Sequence, residues 1–315
     1  MYNNVVKQGK HELRKPEMRA SSMPFCPRQY IFKWIDYFNE EGEWNYLGDF
    51  YCNIGTSVHE SIQKWGPIAN PGYFLGNWKC KRCKKTERFK VGPQVCPTCG
   101  KFMYYDELLV NFVDAPVGGH CDGLLLDEKV INNLTKEKFK TVNVENINKL
   151  ISINADLKIP AYVLELKTTG MWAIRNLSEP YTSHKCQAEI YASSLKRVIP
   201  VRYGNNNINV KGYLIKYISR DNPRIVSTDF KKDIVNDILY KNTYKMVNKT
   251  IEAIKTGKVK KIFNLYPCKK WPSLYEGCDY DELCENISLK AFKAIVKKIK
   301  GSVGAKLYWK ETNIF

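Results

Sequence analysis

The sequence predicts an α/β fold, and two observations carry that prediction. Short apolar runs of strand character alternate along the chain with segments whose apolar residues recur at the helical period. Two of the strand-like runs also carry a carboxylate at or near an end, Asp122 before Gly-Leu-Leu-Leu126 and Glu165 after Ala161-Tyr-Val-Leu164. At 315 residues the chain can hold one large α/β domain with insertions, or two smaller ones.

The elements follow in order. Residues 1–25 are polar and read as irregular as far as Ser21-Ser22. A helix is predicted over Pro27–Phe38, with Tyr30, Ile31, Trp34 and Ile35 at core spacing. Val58–Trp65 reads as a short helix carrying His59, and Glu107–Asp114 and Gly118–Asp127 as paired strands. The stretch Glu128–Pro160 is rich in Asn and Lys, with weak alternation around Thr141-Val-Asn-Val and Ile151-Ser-Ile-Asn-Ala, and predicts a hairpin or loop excursion. Ala161–Thr168 is the expected central strand. Ser183–Val198 is a helix with Gln187 and Tyr191 one turn apart on one face. Val210–Ile218 alternates like a further strand, and Ile234–Thr256 is helical. A last helix, Leu289–Ile299, sets Leu289, Phe292, Ile295, Val296 and Ile299 opposite Lys290, Lys293, Lys297 and Lys298. Such a lysine face reads first as solvated surface and second as a contact for DNA. No internal repeat is present.

In Glu165-Leu166-Lys167 the strand period of two puts Glu165 and Lys167 on the same face. Two carboxylates sharing a divalent cation beside an ammonium suit phosphodiester hydrolysis. The metal polarises the phosphate and acidifies a bound water, and the lysine orients or deprotonates that water. Taken singly, an Asp in a turn and a Glu–Lys pair on an exposed strand are ordinary surface features.

Four of the eleven cysteines form Cys80-X2-Cys83 and Cys96-X2-Cys99, with twelve residues between the pairs. Two tight turns of this kind aim four thiolates at one tetrahedral centre, and Gly100 supplies permissive backbone after the last of them. The reading is a structural Zn2+ ribbon, with a pair of redox-active motifs as the alternative. Its cations (Lys79, Lys81, Arg82, Lys84, Lys85, Arg88, Lys90, Lys101) suggest DNA contact, although a ribbon can also serve only as a prop. A second set is split between the ends: Cys26 near the start, and Cys268, Cys278 and Cys284 far downstream. Cys52, Cys121 and Cys186 read as buried thiols.

Fifty Lys and Arg against thirty-two Asp and Glu give +18, a bias toward polyanions such as DNA. No apolar run approaches the ~18–20 residues that cross a bilayer, so no membrane partner is expected. The first residues lack a secretory apolar region, and a cytoplasmic location is expected.

The motifs together resemble the RecB-like branch of the PD-(D/E)XK nuclease superfamily. Gly55-Thr-Ser-Val-His59-Glu60, Gly119-His-Cys-Asp122-Gly, Leu164-Glu165-Leu-Lys167-Thr-Thr169 and Gln187-Ala-Glu-Ile-Tyr191 are similar to its motifs in the family's order, over less than half of the chain. The resemblance implies a restriction-endonuclease-like core, a mixed sheet flanked by helices. It also implies Mg2+ or Mn2+ held by His59, Asp122, Glu165 and the Leu166 carbonyl. Lys167 would orient the attacking water, and Gln187 and Tyr191 would position the phosphodiester; His120 and Glu60 are neighbours without an assigned role. The split cysteines resemble the iron–sulfur subset that includes CRISPR-adaptation nucleases and the AddB nuclease domain, which implies a [4Fe–4S] cluster on Cys26, Cys268, Cys278 and Cys284. The spacing Cys268-X9-Cys278-X5-Cys284 is wider at its first step than the subset's usual X2, and a second zinc stays open. The expected organisation is a helical part over 1–77, a ribbon insertion over 78–102, a nuclease core over 103–230 and a helical part over 231–315, with the cluster as a clasp joining the termini. The implied activity is a metal-dependent DNA exonuclease on single-stranded or frayed ends. The alternative is a non-catalytic DNA-binding scaffold on the same fold.

Overall fold

The computed structural model describes residues 26–39, 46–69, 72–92, 94–111, 118–153, 157–234, 236–264 and 280–303. Within them the chain is α/β, a mixed central sheet flanked by helices. Helices α1 (Pro27–Asn39) and α2 (Tyr46–Ala69) precede strands β1 (Phe74–Lys79), β2 (Thr86–Val91), β3 (Tyr104–Asp106), β4 (Leu108–Asn111), β5 (Gly118–Cys121) and β6 (Gly123–Leu126). Then come α3 (Glu128–Phe139), α4 (Val144–Ser152), β7 (Ile159–Thr169), α5 (Met171–Arg175), α6 (Thr182–Tyr203), β8 (Ile208–Ser219) and β9 (Phe230–Asp233). Helices α7 (Ile238–Thr256), α8 (Lys260–Phe263), α9 (Asp281–Asn286) and α10 (Leu289–Val303) follow. No described helix is long and apolar enough to cross a membrane.

The main sheet runs β2-β1-β6-β7-β8-β9, with β3 also paired to β1, while β4 and β5 form a ribbon of their own. Strand β7 lies antiparallel to β6 and parallel to β8, so the chain crosses over between β7 and β8 through α5 and α6. One face of the sheet is covered by α2, where Val58 and Ile62 pack on Phe74, Leu164, Leu166 and Ile218. The other holds the larger core, with Ala188, Tyr191 and Leu195 of α6 and Ile147, Leu150 and Ile151 of α4 set against Val163, Val210 and Ile215. A third cluster joins α1 to the C-terminal helices through Ile31, Phe32, Trp34, Ile262, Phe292 and Val296.

Four expectations are corrected. Residues 128–160 hold two helices rather than a hairpin or loop. The Asp127 carboxylate accepts from Val130 N and the Asn143 amide oxygen from Asn146 N, so acid and amide side chains that read as loop composition are helix caps. Behind those caps, Ile131, Ile147, Leu150 and Ile151 are buried at helical spacing. The single strand expected over Gly118–Asp127 breaks at Asp122, since β5 pairs with β4 while β6 belongs to the main sheet. Cys52 is exposed on the outer side of α2, whereas Cys121 and Cys186 are buried as expected. The helix carrying His59 is also longer than Val58–Trp65. It extends back to Tyr46 through Gly48 and Gly55, which weaken the sequence signal for a helix.

Candidate functional site

The break at Asp122 shapes the site. Up to Gly123 the ladder between β6 and β7 is made by backbone, Gly123 standing opposite Leu164. One step further the neighbouring strand has turned away, and the Asp122 carboxylate takes its place: Oδ2 accepts from Leu166 N at 2.7 Å. The other oxygen, Oδ1, lies 3.2 Å from His59 Nδ1 on α2. Helix α2 reaches this point because it passes close to the end of β7, where a Cβ on Gly55 would stand 2.9 Å from Thr168 Oγ1.

Glu165 and Lys167 share a face of β7, as the strand period requires, and form a 2.8 Å ion pair. Lys167 Nζ also donates to Gln187 Oε1 at 3.0 Å, and Gln187 Nε2 donates to the Tyr191 hydroxyl at 3.2 Å, one turn along α6. His59, Asp122, Glu165, Leu166, Lys167, Gln187 and Tyr191 therefore meet from three regular elements and the strand break. They form two linked sets, His59–Asp122–Leu166 N and Glu165–Lys167–Gln187–Tyr191, adjacent through residues 165 and 166 of β7. His120 and Glu60 point outward and are exposed.

The electrostatics are those of a buried acid beside cations. Glu165 is 2 % exposed, and burial pushes its carboxyl up to about 7 against the pull of the Lys167 ammonium. Its Oε2 is buried with no hydrogen-bond partner. Burial pulls the His59 imidazole down, but its hydrogen bond and charge contact with Asp122, with Glu165 behind, win, and its pKa is raised. Burial pushes the Tyr191 hydroxyl up, so it stays protonated at neutral pH. Gln63, one turn beyond His59, donates to Glu107 at 2.6 Å, and Glu107 and Asp122 both help raise the buried Cys121 thiol, burial being the larger cause. Sequence reading did not single out Glu107 or Gln63. The available signal was the four-residue step from His59 to Gln63.

The cysteine site is built differently. Cys80, Cys83, Cys96 and Cys99 bring their sulfurs within 4.8 Å of one another. Two of the separations are 3.5 Å (Cys80–Cys99) and 3.4 Å (Cys83–Cys96), near the edge of about 3.8 Å set by a tetrahedral ion with metal–sulfur bonds of about 2.3 Å. The two turns repeat one geometry. Lys84 N donates to Cys80 O and Cys80 N to Lys85 O; Gly100 N donates to Cys96 O and Cys96 N to Lys101 O. The fourth residue after each leading cysteine is left-handed, Lys84 at φ 61° and Gly100 at φ 68°. The backbone N–H of Cys83 is the main cause holding the Cys80 thiol down, to about 6. The first turn is the tip of the β1–β2 hairpin, so the ribbon grows directly out of the main sheet, with Trp78 and Met103 packed beneath Cys80 and Cys96.

Of the split set, Cys26 and Cys284 are both buried, while Cys268 and Cys278 lie outside the described residues. The buried Arg28 guanidinium donates to Cys284 O at 2.8 Å and Phe263 O at 3.1 Å, tying the start of α1 to α9 and the end of α8. Among the described residues the four-cysteine group is the one set of three or more His, Cys, Asp or Glu residues with ligand atoms that close together. His59, Asp122 and Glu165 are not gathered to that degree.

No known protein family, no curated protein and no solved structure matches this chain.

Proposed function

We propose that this chain is a metal-dependent deoxyribonuclease on the RecB-like PD-(D/E)XK plan, acting from single-stranded or frayed DNA ends. The observation that carries the reading is the meeting of His59, Asp122, Glu165, Lys167, Gln187 and Tyr191, residues spread over 59–191, with a buried Glu165 oxygen that has no protein partner. Two carboxylates and an imidazole are a fitting donor set for Mg2+ or Mn2+. Ligand atoms at about 2.1 Å from one ion lie within about 4.2 Å of each other, so loading requires His59, Asp122 or Glu165 to turn from its present partner. His59, Asp122, Glu165 and the Leu166 carbonyl would hold the ion, which would supply polarisation of the phosphate and acidification of a water.

The chain's own residues do the rest. Lys167 presents an ammonium fixed from two sides, by Glu165 and Gln187, and orients the attacking water. Gln187 cannot titrate and acts as a spacer that holds Lys167. Tyr191, buried and protonated, braces Gln187 from the far side. The four thiolates serve as a structural Zn2+ site, their spacing being that of a single ion. Cys26 and Cys284, with Cys268 and Cys278 from outside the described residues, would hold the [4Fe–4S] clasp implied by the resemblance. The close packing of α1 on the C-terminal helices supports that clasp.

The test is cleavage of end-labelled single- and double-stranded DNA with Mg2+ or Mn2+. Wild-type protein should degrade DNA from its ends. Asp122→Ala, Glu165→Ala and Lys167→Ala should each lose at least about 100-fold in rate, the lower range for removal of a group acting on the proton or nucleophile. Cleavage by Lys167→Ala near the wild-type rate would sink the assignment, and binding without cleavage by wild-type protein would leave the scaffold reading. For the clasp, protein purified without oxygen should be brown, with iron and sulfide near four each, and Cys26→Ser should bleach it. Colourless protein with two zincs would reject the cluster alone.

A further inference from the structure

The outer face of the ribbon has a composition that neither metal site explains. After the second cysteine turn the chain alternates: Met103 is buried and Tyr105 packs inward against Phe74 and Trp78, while Phe102 and Tyr104 face out, 72 % and 42 % exposed. Two side chains on one face of an extended segment stand about 7 Å apart. Exposing two aromatic rings to water forgoes the burial that the neighbouring Met103 and Tyr105 achieve, and Val95, bridged to Phe102 and itself exposed, widens the same apolar face.

Cations surround these rings. Lys79 stands opposite Tyr104 in the β1–β3 register, which puts the two side chains side by side on one face. Lys81 Nζ lies 4.0 Å from the centre of the Tyr104 ring. Between Lys79 and Asp106 the sequence carries eight Lys and Arg against two acids, Glu87 and Asp106. Seven of the eight are exposed, and none of these is in an ion pair among the described residues. Like charges crowded without partners repel one another, and a polyanion relieves that repulsion.

We propose that Phe102 and Tyr104, flanked by Lys79, Lys81 and Lys101, form a stacking platform for single-stranded DNA. Of the two forms of DNA, the single strand is the one that can use aromatic faces, because a duplex keeps its base faces stacked internally, and the cations take up the phosphates on either side. A protein partner would use the apolar rings but would need acidic residues to answer the same charge. The inference rests on the nuclease reading only for the choice of DNA, and it gives the ribbon a function beyond propping the sheet.

The experiment measures binding, not cleavage, in full-length Lys167→Ala protein. The probes are labelled oligothymidylate of about 20 nucleotides and a duplex of equal length, read by fluorescence anisotropy. Phe102→Ala with Tyr104→Ala should weaken oligothymidylate binding about 30-fold and duplex binding less than about twofold, at the loss per base seen for aromatic stacking. Both side chains are exposed, so bound zinc and melting temperature should be unchanged, which separates loss of the platform from loss of the fold. Lys81→Glu with Lys101→Glu should weaken both probes and flatten the salt dependence by about two contacts. Oligothymidylate binding unaffected by the aromatic pair, or an equal loss for both probes, overturns the platform. Because no cleavage is read, the nuclease assignment can fail while the platform stands, and the reverse.

Discussion

The four-thiolate site and the carboxylate–histidine site place potential metal ligands in opposite ways. Cys80, Cys83, Cys96 and Cys99 come from two turns that each close with their own backbone hydrogen bonds, and their sulfurs already lie within 4.8 Å of one another. His59, Asp122 and Glu165 come from a helix, a strand break and a central strand, and each already has a partner. Asp122 holds His59 and the Leu166 N–H, and Glu165 holds Lys167. The four sulfurs face one another at the spacing of a single tetrahedral ion and, with backbone N–H groups of their own turns beside them, could hold a metal without rearrangement. The carboxylates already have partners in the imidazole, the Leu166 N–H and the ammonium, which offset part of the cost of burying them, while Glu165 Oε2 is left without one.

The largest effect that separates the two should come from the thiolates. Cys80→Ser with Cys83→Ser should reduce zinc from about one per chain to almost none, and hydrogen exchange in β1, β2 and residues 94–106 should rise by at least about 100-fold. Structural zinc is worth on the order of 10 kcal/mol in isolated zinc-finger peptides, so even a third of that is visible. Asp122→Ala should leave exchange in the same strands unchanged. Full zinc occupancy in the double variant would mean that the four sulfurs are not one site.

A smaller effect, of opposite sign, is expected at Glu165. Its carboxyl is raised by burial to about 7 from an ordinary value of 4.5, so between these limits the folded chain holds a proton that the unfolded chain has released. Stability without divalent metal therefore falls as pH rises through that window and levels off above it. Glu165→Gln removes the dependence. It should match wild type near pH 4 and exceed it at pH 8 by about 3 kcal/mol, the worth of a shift from 4.5 to about 7 in which the pull of Lys167 is already counted. Added Mn2+ should close the gap by stabilising wild type alone. Denaturant unfolding at the two pH values checks this, and equal gaps at both would show that burial of Glu165 carries no such cost.

How far the sequence revealed each site follows from the same contrast. The cysteine cage was legible in full, because its ligands sit at fixed short spacings that only a few backbone turns satisfy. The pairing of Glu165 with Lys167, and of Gln187 with Tyr191, was legible because a strand repeats every two residues and a helix returns after four. The break at Asp122 was not, since Gly118–Asp127 reads as one apolar-ended run and only the competing partners β4 and β7 divide it. Helices α3 and α4 were hidden by composition. Asn and Lys read as loop, and the signals that outweigh them are single caps, Asp127 and Asn143, which mark a helix only when the apolar spacing behind them is counted. Glu107 was missed because its link to the site runs through Gln63, a contact that no local pattern encodes.

The smallest effects test how the carboxylate site grades its own residues. Lys167 touches Glu165 directly, Gln187 touches Lys167, and Tyr191 reaches Lys167 only through Gln187. If cleavage depends on how firmly the Lys167 ammonium is held, loss of rate should fall with each step along that chain. Lys167→Ala removes the ammonium and should cost about 100-fold or more. Gln187→Ala leaves the ammonium with Glu165 as its remaining anchor and should cost about tenfold, the worth of one hydrogen bond to a charged group. Tyr191→Phe removes a neutral hydrogen bond of about 1 kcal/mol at two steps' distance while keeping the ring in the core, so a fall of less than about fivefold is expected. Single-turnover rates at saturating metal measure all three. A Tyr191→Phe defect as deep as that of Lys167→Ala would break the order and place the Tyr191 hydroxyl on the substrate itself, a role its burial at 4 % exposure argues against.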